Sequence, residues 1–350
     1  MTDGCYEEAT SDQAADIGGA STASIVADLR EEISRRTPVD ERERRSIAEV
    51  IDGLDRLDRP FDEHADPVHA TASAIVVGSR GVVLHRHRVL GRWLQPGGHI
   101  DAGETPWDAA RRETLEETGL VAEFASGPGR PPVLHVDAHA GPRGHTHLDV
   151  RYLLVAPDVD PTPPPEESQD CRWFSWDEAA AMPDDGLTGI VRALAVADLS
   201  SVVVRRADGD DSGAIAELYL RSRRHALPTV AVVHDDEDVR GWVTSILVRR
   251  PGTWVAAVAR VPVAVLSIEP PWVDQLYVDP PWIGRGIGSL LVDHAKRLCP
   301  DGLELWTFQV NAPARAFYAR HGFVEVEETD GAANEEREPD VRLRWSPSSS

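Results

Sequence analysis

The chain has 350 residues and sets 36 lysine and arginine side chains against 59 aspartate and glutamate, for a formal charge of −23. That length exceeds one ordinary domain and suits two, each large enough for its own core, while the acidity argues against nucleic acid as a partner without a local basic groove. No apolar run reaches bilayer-spanning length and no secretory signal opens the chain, so the expected setting is cytoplasmic, without a membrane partner.

In chain order, residues 1–20 are rich in Gly, Ala, Ser and Asp and read as a disordered tail. A helical extension over 21–66 follows. Its first helix, from about Ser24 to Arg36, carries Ile25, Leu29 and Ile33 at i, i+4, i+8; the second starts at Thr37, with Pro38 just inside, and bears Ile47, Val50, Ile51 and Leu54. This hairpin is expected to pack on the next domain or to mediate a homodimer. Cys5, Cys171 and Cys299 stand far apart without a CxxC pair, which suggests neither a disulfide framework nor a zinc–thiolate site.

From about Ala70 a hairpin is predicted, "ASAIVV", turn "GSRG", then "VVLHRHRVL". His85 and His87 alternate onto one strand face, and His99 follows in a loop. These histidines are read as solvated or substrate-facing, because carboxylates further on supply the better site for a hard metal.

Those carboxylates lie in "PGGHIDAGETPWDAARRETLEETGL", Pro96 to Leu120, which places Glu113, Glu116 and Glu117 within five positions. Thr105 is a good helix N-cap, Pro106 fits the first helical position, Asp108 complements the positive helix end, and Gly119 follows the last turn. At about 100° per residue the three glutamates share one side of the helix, where like charges repel by roughly 0.2–0.5 kcal/mol per pair. A hard divalent cation such as Mg²⁺ or Mn²⁺ offsets that repulsion, since it takes oxygen ligands and keeps waters or substrate phosphates in its other positions. A solvated acidic helix face is the alternative.

The wider spacing decides between them. Gly98, Glu104, Arg112, Glu113, Glu116, Glu117 and Gly119 fill the pattern G-x5-E-x7-R-E-U-x-E-E-x-G-U, with Thr114 where an aliphatic residue is usual. The segment therefore resembles the Nudix hydrolases. The resemblance implies an α/β/α sandwich that hydrolyses a small molecule built on a nucleoside diphosphate linked to another moiety. It implies Mg²⁺ (or Mn²⁺) held with Glu113, Glu116 and Glu117 as ligands or base, Glu104 and the Gly97 carbonyl assisting, and Arg112 orienting a carboxylate. Such an ion neutralises pyrophosphate oxygens and activates a water, whose proton a carboxylate accepts. Which glutamate is the base stays open, and in some family members that role falls to a loop residue outside the box.

Strands near Pro132–Ala138 and His147–Val155 are expected next, joined by "HAGPRGHTH", read as a flexible polar loop or a contact to phosphate or sugar. "DPTPPPEE" is a stiff surface loop. "CRWFSWDEAAAMP" gives a strand leading into a helix and closes this domain, which spans 67–198.

The pattern restarts at "VVVRRADGDDSGAIAELYLRSRRHAL" with a strand and a capped helix. An apolar strand ends at Val278, and "GRGIG" then opens a helix, the arrangement in which glycines and a helix N-terminus approach a pyrophosphate. "LELWTFQVNAPARAFYARHGFVEV" follows, with Asn311, Arg315, Phe317, Tyr318, Gly322 and Phe323. Together these resemble the GNAT acyltransferases over 202–346, a mixed-sheet domain, so the chain as a whole is expected to be α/β (α+β).

This second resemblance implies acetyl-CoA along Leu276, Tyr277 and Val278, with its pyrophosphate on Gly284, Arg285, Gly286, Ile287, Gly288 and Ser289. Asn311 would contact the pantetheine arm or phosphate, and Tyr318 would protonate the departing thiolate; a packed aromatic beside Phe317 and Phe323 is the alternative for Tyr318. Ile283 stands where the family usually has Arg or Gln, which removes a side-chain contact to phosphate. Asp274, Glu335, Glu336 and Asp340 are candidates to attract an amine acceptor, or plain surface charge. The expected protein is bifunctional, a hydrolase and an N-acetyltransferase. An active hydrolase with a degenerate or acyl-CoA-sensing second domain, or a ligand-sensing regulator, are the alternatives.

Overall fold

A computed structural model describes residues 16–17, 20–141, 144–183, 185–196 and 199–347. Most of the expected tail lies outside them; its described part pairs β1 (Asp16–Ile17) with β2 (Ala20–Ser21). Helix α1 (Thr22–Ser34) is capped by Ser21, whose side chain accepts from the Ser24 amide. Helix α2 (Glu41–Arg56) begins later than Thr37, because Asp40 is the residue whose side chain accepts from the Glu43 amide at 2.8 Å, while Glu43 in return accepts from the Val39 amide at 2.7 Å. The two reciprocal bonds satisfy amides that a start at Thr37 would leave in competition.

The first large sheet holds β3 (Val68–Gly78), β4 (Gly81–Arg86), β5 (Trp93–Leu94), β6 (Gly97–His99), β7 (Glu123–Phe124), β8 (His135–Ala140), β9 (Thr146–Val155) and β10 (Cys171–Phe174). Its path runs β10-β4-β3-β9-β7, with β5 beside β4, β6 beside β3 and β8 beside β9. Helix α3 (Pro106–Thr118) crosses it, capped by Thr105 and stopped by Gly119 in the left-handed conformation at φ 70°. Beyond β10 come α4 (Trp176–Ala180) and α5 (Asp185–Ala195).

Strand alternation divides the core. Ala70, Ala72, Ala74 and Val76 of β3 pack with Ile25, Leu29, Val50, Leu54 and Ala110 from α1–α3, whereas Ile75 and Val77 pack with Leu187, Ile190 and Leu194 of α5. Helices on both faces of the sheet make the α/β/α sandwich. The helical extension is thus one wall of this domain. Glu43, fully buried, holds Arg36, whose side chain is itself nearly buried, at 2.9 Å, and Arg36 donates to the carbonyls of Val133 and Leu134 ahead of β8.

The second sheet is ordered β11 (Val203–Arg206), β12 (Thr253–Val258), β13 (Val261–Glu269), β14 (Trp272–Val278), β15 (Leu303–Phe308), β17 (Asp340–Trp345), β16 (Val324–Glu328). Its helices are α6 (Ser212–Ala226), α7 (Asp236–Trp242), α8 (Ile287–Leu298) and α9 (Ala312–Arg320). Strands β14 and β15 are parallel and pair only at Trp272↔Glu304, so they diverge toward Val278 and leave a wedge whose backbone groups lack a neighbouring strand. The chain is mixed α/β throughout, as its sequence pattern implies.

Candidate functional site

Pro106 and the Thr105 cap fix the start of α3, and β6 pairs with β3 through Ala72↔Gly98 and Ser73↔Gly97. Gly98 lies so close to Glu113 that a Cβ there would collide with its carboxylate. The Gly97 amide donates to Glu117 Oε2 at 2.9 Å. The structure thus brings Gly97, Glu104, Arg112, Glu113, Glu116 and Glu117 together, with the Gly97 amide on Glu117.

Arg112 is the hub. Its Nη2 donates to Glu104 Oε2 and to the His99 carbonyl, both at 3.0 Å, and its Nη1 to Glu113 Oε1 at 2.8 Å and Glu116 Oε2 at 3.0 Å. One guanidinium faces four carboxylates, the fourth being Asp101 at 3.7 Å, and Glu117 stands beside them, so the site keeps a negative excess in a partly buried setting. Burial pushes Glu117 up to about 8, against the Gly97 amide and helped by the charge of Glu113. Burial likewise raises Glu113 despite Arg112. An all-oxygen donor set with uncompensated charge fits a hard divalent cation.

His85 departs from its expected solvated role. It is buried, with Nε2 at 3.4 Å from Glu117 Oε2, and burial followed by the charge of His87 lowers its pKa to about 4. Neutral His85 therefore leaves the negative excess uncompensated. Cys171 lies opposite His85 in the β10–β4 pairing, and burial raises its thiol to about 12. Glu167, on the loop before β10, adds its charge to Glu117 and to His87.

Two further groups escaped sequence reasoning. Asp149 and Arg151 on β9 are buried, with Arg151 Nε 2.9 Å from Asp149 Oδ2 and Ser73 Oγ donating to that oxygen at 2.7 Å. Asp137 joins Arg151 and Arg42; burial opposes its ionisation, but His139, Arg42 and Arg151 outweigh it and hold the carboxyl well below the usual range. The signal was present as "HLDVRY", charges at i and i+2 within an otherwise apolar strand. The segment "HAGPRGHTH" is also less of a loop than expected, for His139 and His147 stand opposite each other in the β8–β9 ladder; Pro142 and Arg143 lie outside the described residues.

In the second domain, Gly284 and Gly286 adopt φ 82° and 81°, left-handed values that permit the backbone to curl ahead of α8. Gly286 is the N-cap of α8 and provides no side-chain cap bond, so first-turn amides point to the loop mouth. Ile287 is buried under the helix start. Arg285 lies 3.7 Å from Asp177 of the first domain, and Ser289 Oγ is 3.0 Å from His321 Nε2, so each has a protein partner. Leu276, Tyr277 and Val278 line β14 along the divergence, with the Tyr277 ring 4.6 Å from Tyr219.

Asn311 caps α9, its Oδ1 accepting from the Ala314 amide at 3.2 Å. Tyr318 is buried, its ring 5.2 Å from Phe317 and 5.4 Å from Phe323, and burial raises its phenol above the ordinary value. The acceptor candidates are all partnered: Asp274 with Arg250 at 2.5 Å, Glu335 with His234 at 2.8 Å, Glu336 with Arg223 at 2.9 Å, and Asp340 with Thr329 and with Asn334 at 3.1 Å. Among the described residues a cleft of about 1210 Å³ opens between α1 and β11–β13; it includes neither the box carboxylates nor the glycine loop. No helix among those residues is long and apolar enough to cross a membrane.

Comparison with known proteins separates the two halves. The family model for the NUDIX domain matches residues 67–193, and that for the acetyltransferase (GNAT) family matches 213–323. Phosphatase NudJ of Escherichia coli (strain K12) is 30% identical over 115 residues, which cover 31% of this chain and 70% of NudJ. Among solved structures, a NUDIX-family hydrolase from Clostridium perfringens is 24% identical over 36% of this chain and 97% of its own, with a TM-score of 0.32. Apo-form YjaB from Escherichia coli is 24% identical over 42% of this chain and 99% of its own, with a TM-score of 0.38.

Proposed function

Since the chain belongs to the Nudix family through residues 67–193 and joins to it a GNAT acetyltransferase domain at 213–323, we propose that it is a bifunctional enzyme with two separate sites. The first domain, about 67–198 with 21–66 as its outer wall, hydrolyses a phosphoanhydride bond in a small nucleoside-diphosphate-type substrate. The observation that carries this reading is the convergence of Glu104, Glu113 and Glu116 on a single guanidinium, with Glu117 held beside them by the Gly97 amide.

Glu113, Glu116 and Glu117, with Glu104 nearby, would hold Mg²⁺ or Mn²⁺. When bound, the ion supplies charge neutralisation on the phosphate oxygens and acidifies a water. Arg112 fixes the carboxylates in a common orientation, and the Gly97 amide fixes Glu117. A carboxylate left unligated accepts the proton of the attacking water. The name of the NudJ relative, a phosphatase, supports phosphate as one product.

The second domain, about 202–346, transfers an acetyl group from acetyl-CoA to an amine. The open edge of β14 offers backbone groups to the pantetheine arm, and the Gly284–Ser289 turn offers amides to the pyrophosphate. Tyr318, a buried phenol, supplies a proton to the thiolate. Ile283 is half exposed at the loop mouth and contributes no charge, so phosphate binding rests on the amides. A cytoplasmic setting suits both co-substrates.

Release of phosphate or nucleotide with and without Mg²⁺, across nucleotide sugars, oxidised nucleoside triphosphates, dinucleoside polyphosphates and CoA, tests the first activity. A thermal shift with acetyl-CoA tests the second, since ligand at a hundred times its Kd adds about 2.7 kcal/mol. No Mg²⁺-dependent release from any of these would defeat the hydrolase reading, and no shift at saturating acetyl-CoA the transferase reading.

A further inference from the structure

On the first sheet, beside the carboxylate site, four imidazoles come together from four points of the chain. His69 and His147 are direct partners in the parallel β3–β9 ladder, His99 is opposite Thr71 in the β3–β6 ladder, and His145 precedes β9. One ring nitrogen from each of His69, His99, His145 and His147 lies within 4.8 Å of every other. The ring centroids of His69 stand 5.1, 5.2 and 5.2 Å from those of His99, His145 and His147.

We propose that these four histidines bind a borderline divalent transition ion of the Zn²⁺ class, at a site distinct from the carboxylates of the box. The ring nitrogens themselves point to it. Nε2 of His69, His99 and His147 is buried and without a hydrogen-bond partner, and His69 is wholly buried. A core histidine kept for packing alone normally satisfies both nitrogens. Here the far nitrogens are engaged instead, His69 Nδ1 at 3.1 Å from the Asp66 carbonyl and His99 Nδ1 at 3.0 Å from Glu63 Oε2. That outer arrangement fixes the tautomer which turns Nε2 inward as a ligand.

The donor set also separates this ion from that of the box. Imidazole nitrogens suit Zn²⁺, Cu²⁺ or Ni²⁺, whereas Mg²⁺ takes oxygens. Tetrahedral Zn–N bonds of about 2.0–2.1 Å require the four atoms to close in by roughly 0.9 Å each at most, within reach of small ring rotations. Four protein ligands leave no open position, which makes the ion structural rather than catalytic. Its position gives it a task. The His99 carbonyl accepts from Arg112 Nη2, so an ion on the His99 ring pins the turn against which the Arg112 network is set.

The test uses the full-length, tag-free protein, stripped by chelator and titrated with Co²⁺ as a spectroscopic probe. The expected result is visible d–d absorption of a four-coordinate nitrogen site, saturating at one equivalent and displaced by one equivalent of Zn²⁺. His145→Gln and His147→Gln should each abolish the band, and Glu116→Gln and Glu117→Gln should retain it. Should His147→Gln fail to fold, His145→Gln, at the partly exposed start of the hairpin, carries the comparison. Absence of the band in the wild-type protein, its persistence in His145→Gln, or its loss in Glu117→Gln with retention in His145→Gln would each overturn the proposal. The readout is metal content and geometry, so it does not depend on finding a substrate.

Discussion

The indole Nε1 of Trp282 donates a hydrogen bond to the Leu194 carbonyl at 2.9 Å, tying the turn ahead of the GNAT glycine loop to the last helix of the Nudix domain. Trp176 answers with a bond from its own Nε1 to the Pro281 carbonyl at 3.1 Å, and the two rings lie 6.1 Å apart. Leu187, Ile190 and Leu194 thereby share one continuous core with Ile287 and Leu291. Truncation as Trp282→Ala should cost roughly 3–5 kcal/mol, and Trp282→Phe less. Calorimetry of the wild type should show one cooperative transition that separates into two in Trp282→Ala; an unchanged single transition would mean that this contact does not couple the domains.

Glu117 gives the metal-free protein a pH dependence of definite sign. Its folded pKa of about 8 exceeds the unfolded value of about 4.3, so between those limits the folded state holds a proton that the unfolded chain has released. Stability without divalent ions is therefore greatest at the acid end of that window and declines as pH rises toward 8. Mg²⁺ replaces the proton, so its stabilising effect grows with pH over the same range. Thermal melts in chelator and in Mg²⁺ at pH 6 and 8 should show this for the wild type and not for Glu117→Gln. The same variant should lose hydrolysis and keep acetyl transfer.

Gly53 tests whether the helical extension belongs to the Nudix domain. It lies against Leu148 of β9 so closely that a Cβ would overlap the leucine side chain. Gly53→Ala gains helix propensity of up to about 1 kcal/mol but overpacks a buried contact at a cost of about 1–3 kcal/mol. Net destabilisation in urea is expected, with the elution volume in gel filtration unchanged. A stabilised variant would show that α2 stands off the sheet.

The box, the glycine loop and the order of elements were legible because each rests on local rules, such as a cap, a proline, a stop glycine or a spacing along one helix face. The extension's apolar stripe was equally plain, but its partner was not, since Leu54 and Leu148 meet only once the sheet is assembled. Asp40 displaced Thr37 as the second cap because Glu43 returned its bond, a pairing visible in "DERE" only after Arg36 is known to need Glu43. The histidines were hardest. His69, His99, His145 and His147 are scattered over 79 positions (69 to 147, inclusive), and ladder register alone brings them together. The chain pattern puts His99 in a loop and His145 and His147 in a flexible polar loop, and does not single out His69, whereas the assembled sheet brings all four together and buries His69.

Tyr318 separates chemistry from packing in the second domain. Its ring fills the space between Phe317 and Phe323; its phenol holds its proton at neutral pH, although burial raises its pKa and so weakens it as an acid. Tyr318→Phe keeps the ring and removes only the hydroxyl. If the phenol protonates the thiolate, kcat for acetyl transfer should fall by roughly 10²-fold or more, with the Kd for acetyl-CoA unchanged and stability altered by about 1 kcal/mol or less. A purely structural Tyr318 predicts the reverse, an unchanged kcat. Stopped-flow turnover with isothermal titration of acetyl-CoA on both proteins distinguishes the two, because the hydroxyl contributes little ring packing and its loss leaves the wedge between β14 and β15 in place.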